Sequence, residues 1–79
     1  MNVTVKLFAQ HRAAAGVSEL EVGLAAGATA RDAVAAVVER FGEIDPRGSM
    51  IAVNSRYAKP DQELAESDEV AILPPVSGG

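Results

Sequence analysis

Along residues 3–8 apolar and polar side chains alternate, with Val3, Val5 and Leu7 on one face and Thr4, Lys6 and Phe8 on the other. A period of two predicts a half-buried strand. Phe8 is the exception, an aromatic ring on the polar face. After a polar and alanine-rich stretch at 10–16, read as a connection, the alternation returns at 18–24, with Leu20, Val22 and Leu24 inward and Glu19 and Glu21 outward. The two segments predict an antiparallel hairpin.

The period then changes. Ala26-Gly27-Ala28 interrupts the alternation, and Thr29 followed three residues later by Asp32 has the form of an N-cap with an acid in the first helical turn. Ala30, Ala33, Val34, Val37, Val38 and Phe41 recur at three- and four-residue spacing, and Gly42 suits a left-handed C-cap. The large side chains of this stripe, Val34, Val38 and Phe41, are expected to supply much of the core, at about 1.5–3 kcal/mol per fully buried side chain. Pro46-Arg47-Gly48 reads as a loop, 50–54 as a third strand, Asn54-Ser55-Arg56 as a turn, and Tyr57-Ala58 as a short segment beyond it. The stretch 59–68 is polar apart from Leu64, which is expected to anchor it. A last strand at 69–73 turns Val70 and Ile72 inward and Leu73, like Phe8, outward. Strand, strand, helix, strand, short strand, strand predicts an α+β two-layer domain. The pattern does not fix the strand order.

Composition narrows the chemistry. Seventy-nine residues make one small domain, which buries about 60–65% of the surface its unfolded chain exposes. With no cysteine and one histidine, disulfides, thiolate metal sites and a cysteine nucleophile are excluded. Zinc sites and His-dependent triads are argued against. His11 itself is read as a solvated loop residue, because no carboxylate converges on it in the sequence. A net charge of −4 and a pI near 4.8 argue against a nucleic-acid surface. No basic leader is present, and no segment approaches the roughly 20 apolar residues that span a bilayer, so a soluble cytoplasmic protein without a membrane partner is expected. Asp61, Glu63, Glu66, Asp68 and Glu69 are read as a solvated acidic loop, and Arg56 and Lys59 as surface charges.

What remains is the end of the chain, Pro74-Pro75-Val76-Ser77-Gly78-Gly79. A terminal Gly-Gly is by itself a weak motif, arising by chance in roughly one chain per hundred at this glycine content. Its context gives it meaning. Glycine lacks Cβ, so Gly78 and Gly79 would let the backbone enter a channel too narrow for other residues. The fixed φ of Pro74 and Pro75 would hold the start of the segment extended, away from the sheet. Residues 1–74 are therefore read as the domain and 75–79 as a flexible tail, with the Gly79 carboxylate as the reactive group.

The stretch Asp68-Glu69-Val70-Ala71-Ile72-Leu73-Pro74-Pro75-Val76-Ser77-Gly78-Gly79 resembles the close of the molybdopterin synthase small subunits, in the ubiquitin-like β-grasp group of sulfur carriers. Val5-Lys6-Leu7-Phe8-Ala9-Gln10 looks like that family's first strand and Ala52-Val53-Asn54 its third, whereas the middle matches only in pattern. The resemblance implies a β-grasp fold, with a mixed sheet of four to five strands, one main helix across one face and a protruding C-terminal tail. It also implies a mechanism centred on Gly79. An ATP-dependent enzyme adenylates the carboxylate, a sulfur donor displaces AMP to leave a thiocarboxylate, and the sulfur passes to a cyclic pyranopterin phosphate on the synthase's large subunit. By the same resemblance Val76, Ser77 and Gly78, with Pro74 and Pro75, thread into that subunit, in an assembly of two small and two large chains. No cofactor or metal is held stably. If the first and last strands are neighbours, Phe8 and Leu73 form an apolar patch that Tyr57 extends, and positions matching these three are the implied partner contacts.

Two other uses of the same end stay open. A ubiquitin-like modifier needs the same acyl-adenylate but joins Gly79 to lysines of other proteins. A carrier for another pathway, such as thiamine synthesis, differs only in its partners.

Overall fold

The computed structural model describes residues 1–75. Five strands and two helices follow in the order β1 (Asn2–Leu7), α1 (Ala9–Ala15), β2 (Glu19–Gly23), α2 (Ala30–Arg40), β3 (Met50–Val53), β4 (Arg56–Ala58) and β5 (Glu69–Leu73). The strands form one sheet in the order β2-β1-β5-β3-β4. β1 runs parallel to β5 in register Val5↔Val70 and Leu7↔Ile72, and every other pair is antiparallel. This is the α+β, mixed-sheet, β-grasp arrangement, with α2 packed on one face against β2 and β5.

The period-two readings place the inner face correctly. Val3, Val5, Leu7, Val22, Val70 and Ile72 are buried on the side of α2, and Leu64 pins its loop to them. The helix meets that face differently from expectation. Ala30, Ala33 and Val37 are its fully buried residues, while Val34, Val38 and Phe41 are only half-buried. Ala30, Ala33 and Val37 follow one ridge of the helix, and the two alanines on it let the axis come close to the sheet. The larger side chains then flank the contact instead of filling it. Core mass is supplied mainly by Leu7, Ile72 and the valines of the strands.

The ends of α2 also differ in kind. Its start is the expected Thr29 cap, and Asp32 makes it a reciprocal box, with the Thr29 N–H donating to Asp32 Oδ2 at 2.8 Å. The polar loop adds to it: Gln62 and Pro60 carbonyls accept the N–H groups of Ala30 and Arg31, each at 2.8 Å. Donors that a helix start leaves without partners are thereby satisfied by the segment Leu64 anchors. At the other end Gly42 is not left-handed; Phe41 closes the helix at φ −123 with its N–H to the Val37 carbonyl at 2.8 Å. The left-handed C-cap belongs to Gly16 (φ 78), which ends α1 with an N–H bond to the Arg12 carbonyl at 2.8 Å.

Helix α1 replaces the connection expected at 10–16. Its sequence, AQHRAAA, carries no long apolar stripe, so periodicity is silent, although alanine has the highest helix propensity. Between β3 and β4, Asn54 (φ 51) and Ser55 (φ 70) are both left-handed and join the pair Val53↔Arg56 by a two-residue turn.

Candidate functional site

The parallel pairing of β1 and β5 sends both strands off the same edge of the sheet. Phe8 therefore leaves β1 where Leu73 and Pro74 leave β5. Met50 pairs with Leu73 and Tyr57 with Ala52 on the face turned from α2. Together these elements enclose an open groove of about 390 Å³, lined by Phe8, Ala9, Gly48, Met50, Tyr57, Leu73, Pro74 and Pro75. Phe8 is 40%, Met50 53% and Tyr57 72% exposed, and Leu73 is half-buried. The outward residues Phe8, Tyr57 and Leu73 thus share one concavity with Pro74 and Pro75. Val76, Ser77, Gly78 and Gly79 lie outside the described residues.

The sequence pattern alone does not mark Met50 or Gly48 as part of this groove. Met50 lies two residues from outward-facing Ala52, so its face was legible, but its place beside Leu73 depends on the β3–β5 register. Ala52 and Ala71 pair at the middle of this outer face and keep it low. Beyond them it becomes polar, with Lys6 Nζ 3.4 Å from Glu69 Oε2. That pair is largely exposed and contributes little to stability. The groove lining carries no carboxylate, imidazole or amine, so it offers contact area and orientation rather than acid-base chemistry.

A second cavity, of about 230 Å³, lies on the other side of Pro75 and is lined by Gln10, His11, Ala14, Glu43, Ile44, Asp45, Arg47 and Pro75. Here the reading of His11 as a solvated loop residue is overturned. Its side chain is on α1 and only 2% exposed, with Nε2 2.8 Å from Ser49 Oγ. The helix that buries it was the element the sequence pattern missed. Asp45 and Arg47 face each other across the rim, with Arg47 Nη2 donating to Asp45 Oδ2 at 2.7 Å. Hydrogen bonds from the Arg47 side chain and backbone lower the Asp45 carboxyl to about 2.

The acidic loop is also more structured than expected. Asp68 accepts the Ala65 N–H at 2.8 Å and Asn54 Nδ2 at 2.9 Å, which hold its carboxyl below the ordinary range. Asn54 Oδ1 in turn accepts the Glu69 N–H at 2.9 Å, and Glu66 accepts the Asn2 N–H at 3.0 Å. These contacts brace the end of the sheet remote from the groove. Among the described residues no group of three or more His, Cys, Asp or Glu side chains is placed to hold a metal ion. No helix among them is long and apolar enough to cross a membrane.

Comparison with known proteins gives this arrangement a family. The ThiS family model matches residues 5–79. The molybdopterin synthase sulfur carrier subunit of Chlamydomonas reinhardtii is 39% identical over 83 aligned positions that cover all of both chains. Among solved structures, SAMP1 from Haloferax volcanii superposes with a TM-score of 0.86 at 30% identity, covering all of both chains. A putative molybdopterin converting factor subunit 1 from Pyrococcus furiosus gives 0.84 at 37% identity, covering 96% of this chain and 99% of that one. With a family match through nearly the whole chain and full-length identity well above 30%, the chain belongs to the ThiS family of ubiquitin-like β-grasp sulfur carriers.

Proposed function

We propose that this chain is the sulfur carrier subunit of a molybdopterin synthase, and that it delivers sulfur as a thiocarboxylate on Gly79. The observation that carries the reading is the apolar groove of Phe8, Met50, Tyr57 and Leu73 at the root of the Pro74-Pro75 segment, in a chain whose full-length relative is such a subunit. Residues 1–74 act as the docking body and 75–79 as the delivering arm.

A carboxylate is a poor electrophile, so sulfur cannot replace its oxygen directly. The Gly79 carboxylate attacks the α-phosphorus of ATP on an activating enzyme, pyrophosphate leaves, and a sulfur donor then displaces AMP from the mixed anhydride. The thiocarboxylate reacts as its anion, like a thiolate. The large subunit binds the groove face, admits Val76, Ser77, Gly78 and Gly79, and brings the sulfur to a cyclic pyranopterin phosphate. Ordering such an arm costs about 1–2 kcal/mol per residue, and more for glycine. Pro74 and Pro75 lower that cost because their φ is already fixed. A heterotetramer of two small and two large chains, working in the cytoplasm, completes the proposal.

Intact-mass measurement after incubation with an activating enzyme, ATP and a sulfur source is the direct test. One oxygen should be exchanged for sulfur at Gly79, and a folded chain lacking Gly79 should show no change. Absence of the exchange in the full chain would refute the proposal. The likeness to SAMP1, a small archaeal modifier protein by its name in related structures, favours a second reading, in which the activated Gly79 is joined to lysines. Gly79-dependent adducts on lysine in cell extracts would support that use.

A further inference from the structure

We infer that His11 is a positioning residue: with Ser49 it closes a clasp beside Pro75, tying α1 to the Gly48 turn, and so sets the direction in which the chain leaves the domain. The inference rests on the sulfur-carrier reading for its consequence, but on geometry alone for its structure.

Pro75 lies between two pieces of chain that the sheet does not join. On one side is α1, whose Gln10, His11 and Ala14 line the open polar cavity that Pro75 also lines. On the other is the backbone of Gly48, in the left-handed region at φ +75. A Cβ on Gly48 would stand 3.4 Å from Pro75 Cγ and 3.5 Å from its Cβ. The proline ring also lines the apolar groove, so it forms the wall between the two cavities. Pro75 is itself exposed, so what fixes α1 relative to Gly48 fixes the two surfaces that flank its ring.

Among the described residues the only side-chain hydrogen bond between these two pieces joins His11 Nε2 and Ser49 Oγ at 2.8 Å, linking residues 38 apart in sequence. Ser49 adjoins β3 and is held there by the Met50↔Leu73 pairing, and its N–H donates to the Pro46 carbonyl at 3.0 Å. Helix α1 is capped by Gly16 and packs on β5, but among the described residues no other side-chain hydrogen bond ties it to the 48–49 segment. It is seven residues long, too short to persist alone, and it begins at Ala9 with the uncommon φ of 49. His11 is the one buried polar side chain of the described residues. A core position on a short alanine-rich helix could have been filled by an aliphatic side chain without any hydrogen-bond requirement. The imidazole adds a directional tie to Ser49.

The test uses the full chain and three substitutions: His11→Phe, which keeps bulk but removes the bond, Ser49→Ala, which removes the partner with little effect on packing, and His11→Gln, whose amide reaches about as far as Nε2. In the free protein, nuclear Overhauser contacts between Gly48 Hα and the Pro75 ring should be strong in wild type and H11Q and lost in H11F and S49A. In the ATP-dependent conversion of Gly79, H11F and S49A should lower kcat roughly tenfold, the scale of a misplaced reacting group, with KM for the carrier within about twofold. H11Q should restore kcat. Retention of the Gly48–Pro75 contacts in both H11F and S49A, or an unchanged kcat in both whatever their Tm, would overturn the clasp. A wild-type chain that acquires no sulfur would refute the sulfur-carrier reading instead, and the contact measurement would still decide the clasp.

Discussion

Met50 gives the sharpest test of the groove as a docking surface, because its role follows from strand register and not from the sequence pattern. Full burial of a methionine side chain is worth about 1.5–3 kcal/mol. At 53% exposed in the free protein, it has about half of that left to gain on docking, or about 1 kcal/mol, which is roughly fivefold in Kd. Met50→Ala should weaken binding to the synthase large subunit by that factor. Met50→Asp should do far more, because a carboxylate would be desolvated among Phe8, Leu73 and Pro74 without a cationic partner. A penalty of about 3 kcal/mol or more predicts a loss above a hundredfold.

The same truncation removes the half of Met50 already covered beside Leu73. Tm of M50A should therefore fall by about 4–8 °C for the loss of about 1 kcal/mol in a domain of this size. Titration calorimetry well below that Tm separates the two effects. A Kd unchanged within twofold for both M50A and M50D would show that the large subunit does not cover this groove. The docking reading of Phe8, Tyr57 and Leu73 would then fail with it.

Three further outcomes follow from the packing and the charges. Val37→Ala should cost about 2 kcal/mol in urea unfolding because Val37 is wholly buried, whereas Val34→Ala, half-buried, should cost less than about 1. Equal losses would contradict the helix orientation described above. Asp68 has its carboxyl pKa depressed by the Ala65 N–H and Asn54 bonds, so its stabilisation is complete above about pH 4 and is lost as pH falls through the lowered folded value. Asp68→Asn should therefore destabilise the fold at neutral pH and converge with wild type in acid, and a parallel offset at every pH would contradict this assignment. Asp45, held at about 2 by Arg47, should titrate higher in Arg47→Ala by carbon-13 NMR but stay below an unperturbed carboxyl, because the backbone N–H at position 47 that bonds its Oδ1 remains. Both side chains are exposed, so little change in stability should accompany that shift.

How far the sequence revealed all this depends on which physical signal each part leaves. Alternation marked β1, β2 and β5 because a strand with one buried face must alternate, and the Thr29/Asp32 box marked the start of α2 because a helix end needs its donors satisfied. Val34, Val38 and Phe41 misled because size is visible in a sequence and the closeness of two backbones is not. The alanines at 30 and 33 decide that closeness. Helix α1 escaped because it is held by a cap, a buried imidazole and strand contacts, not by an apolar stripe. With it went His11, whose partner Ser49 lies in another loop.

The site itself was legible only in pieces, and one feature of topology explains why the pieces meet. Were β1 antiparallel to β5, Phe8 would leave the sheet at the end opposite Leu73, and the outward residues would be scattered surface side chains of no consequence. Parallel pairing puts both strand ends on one edge, and a parallel pair requires a crossover through the intervening chain. That intervening chain contains α2, which covers the inner face, and β3 with β4, which bring Met50 and Tyr57 alongside. The connection that gives the domain its core therefore also assembles the groove at the point where the chain departs through Pro74 and Pro75. A partner that grips this groove takes hold of the domain within a few residues of the segment leading to Gly79, which is the arrangement a carrier needs if docking is to present its end rather than merely bind its body.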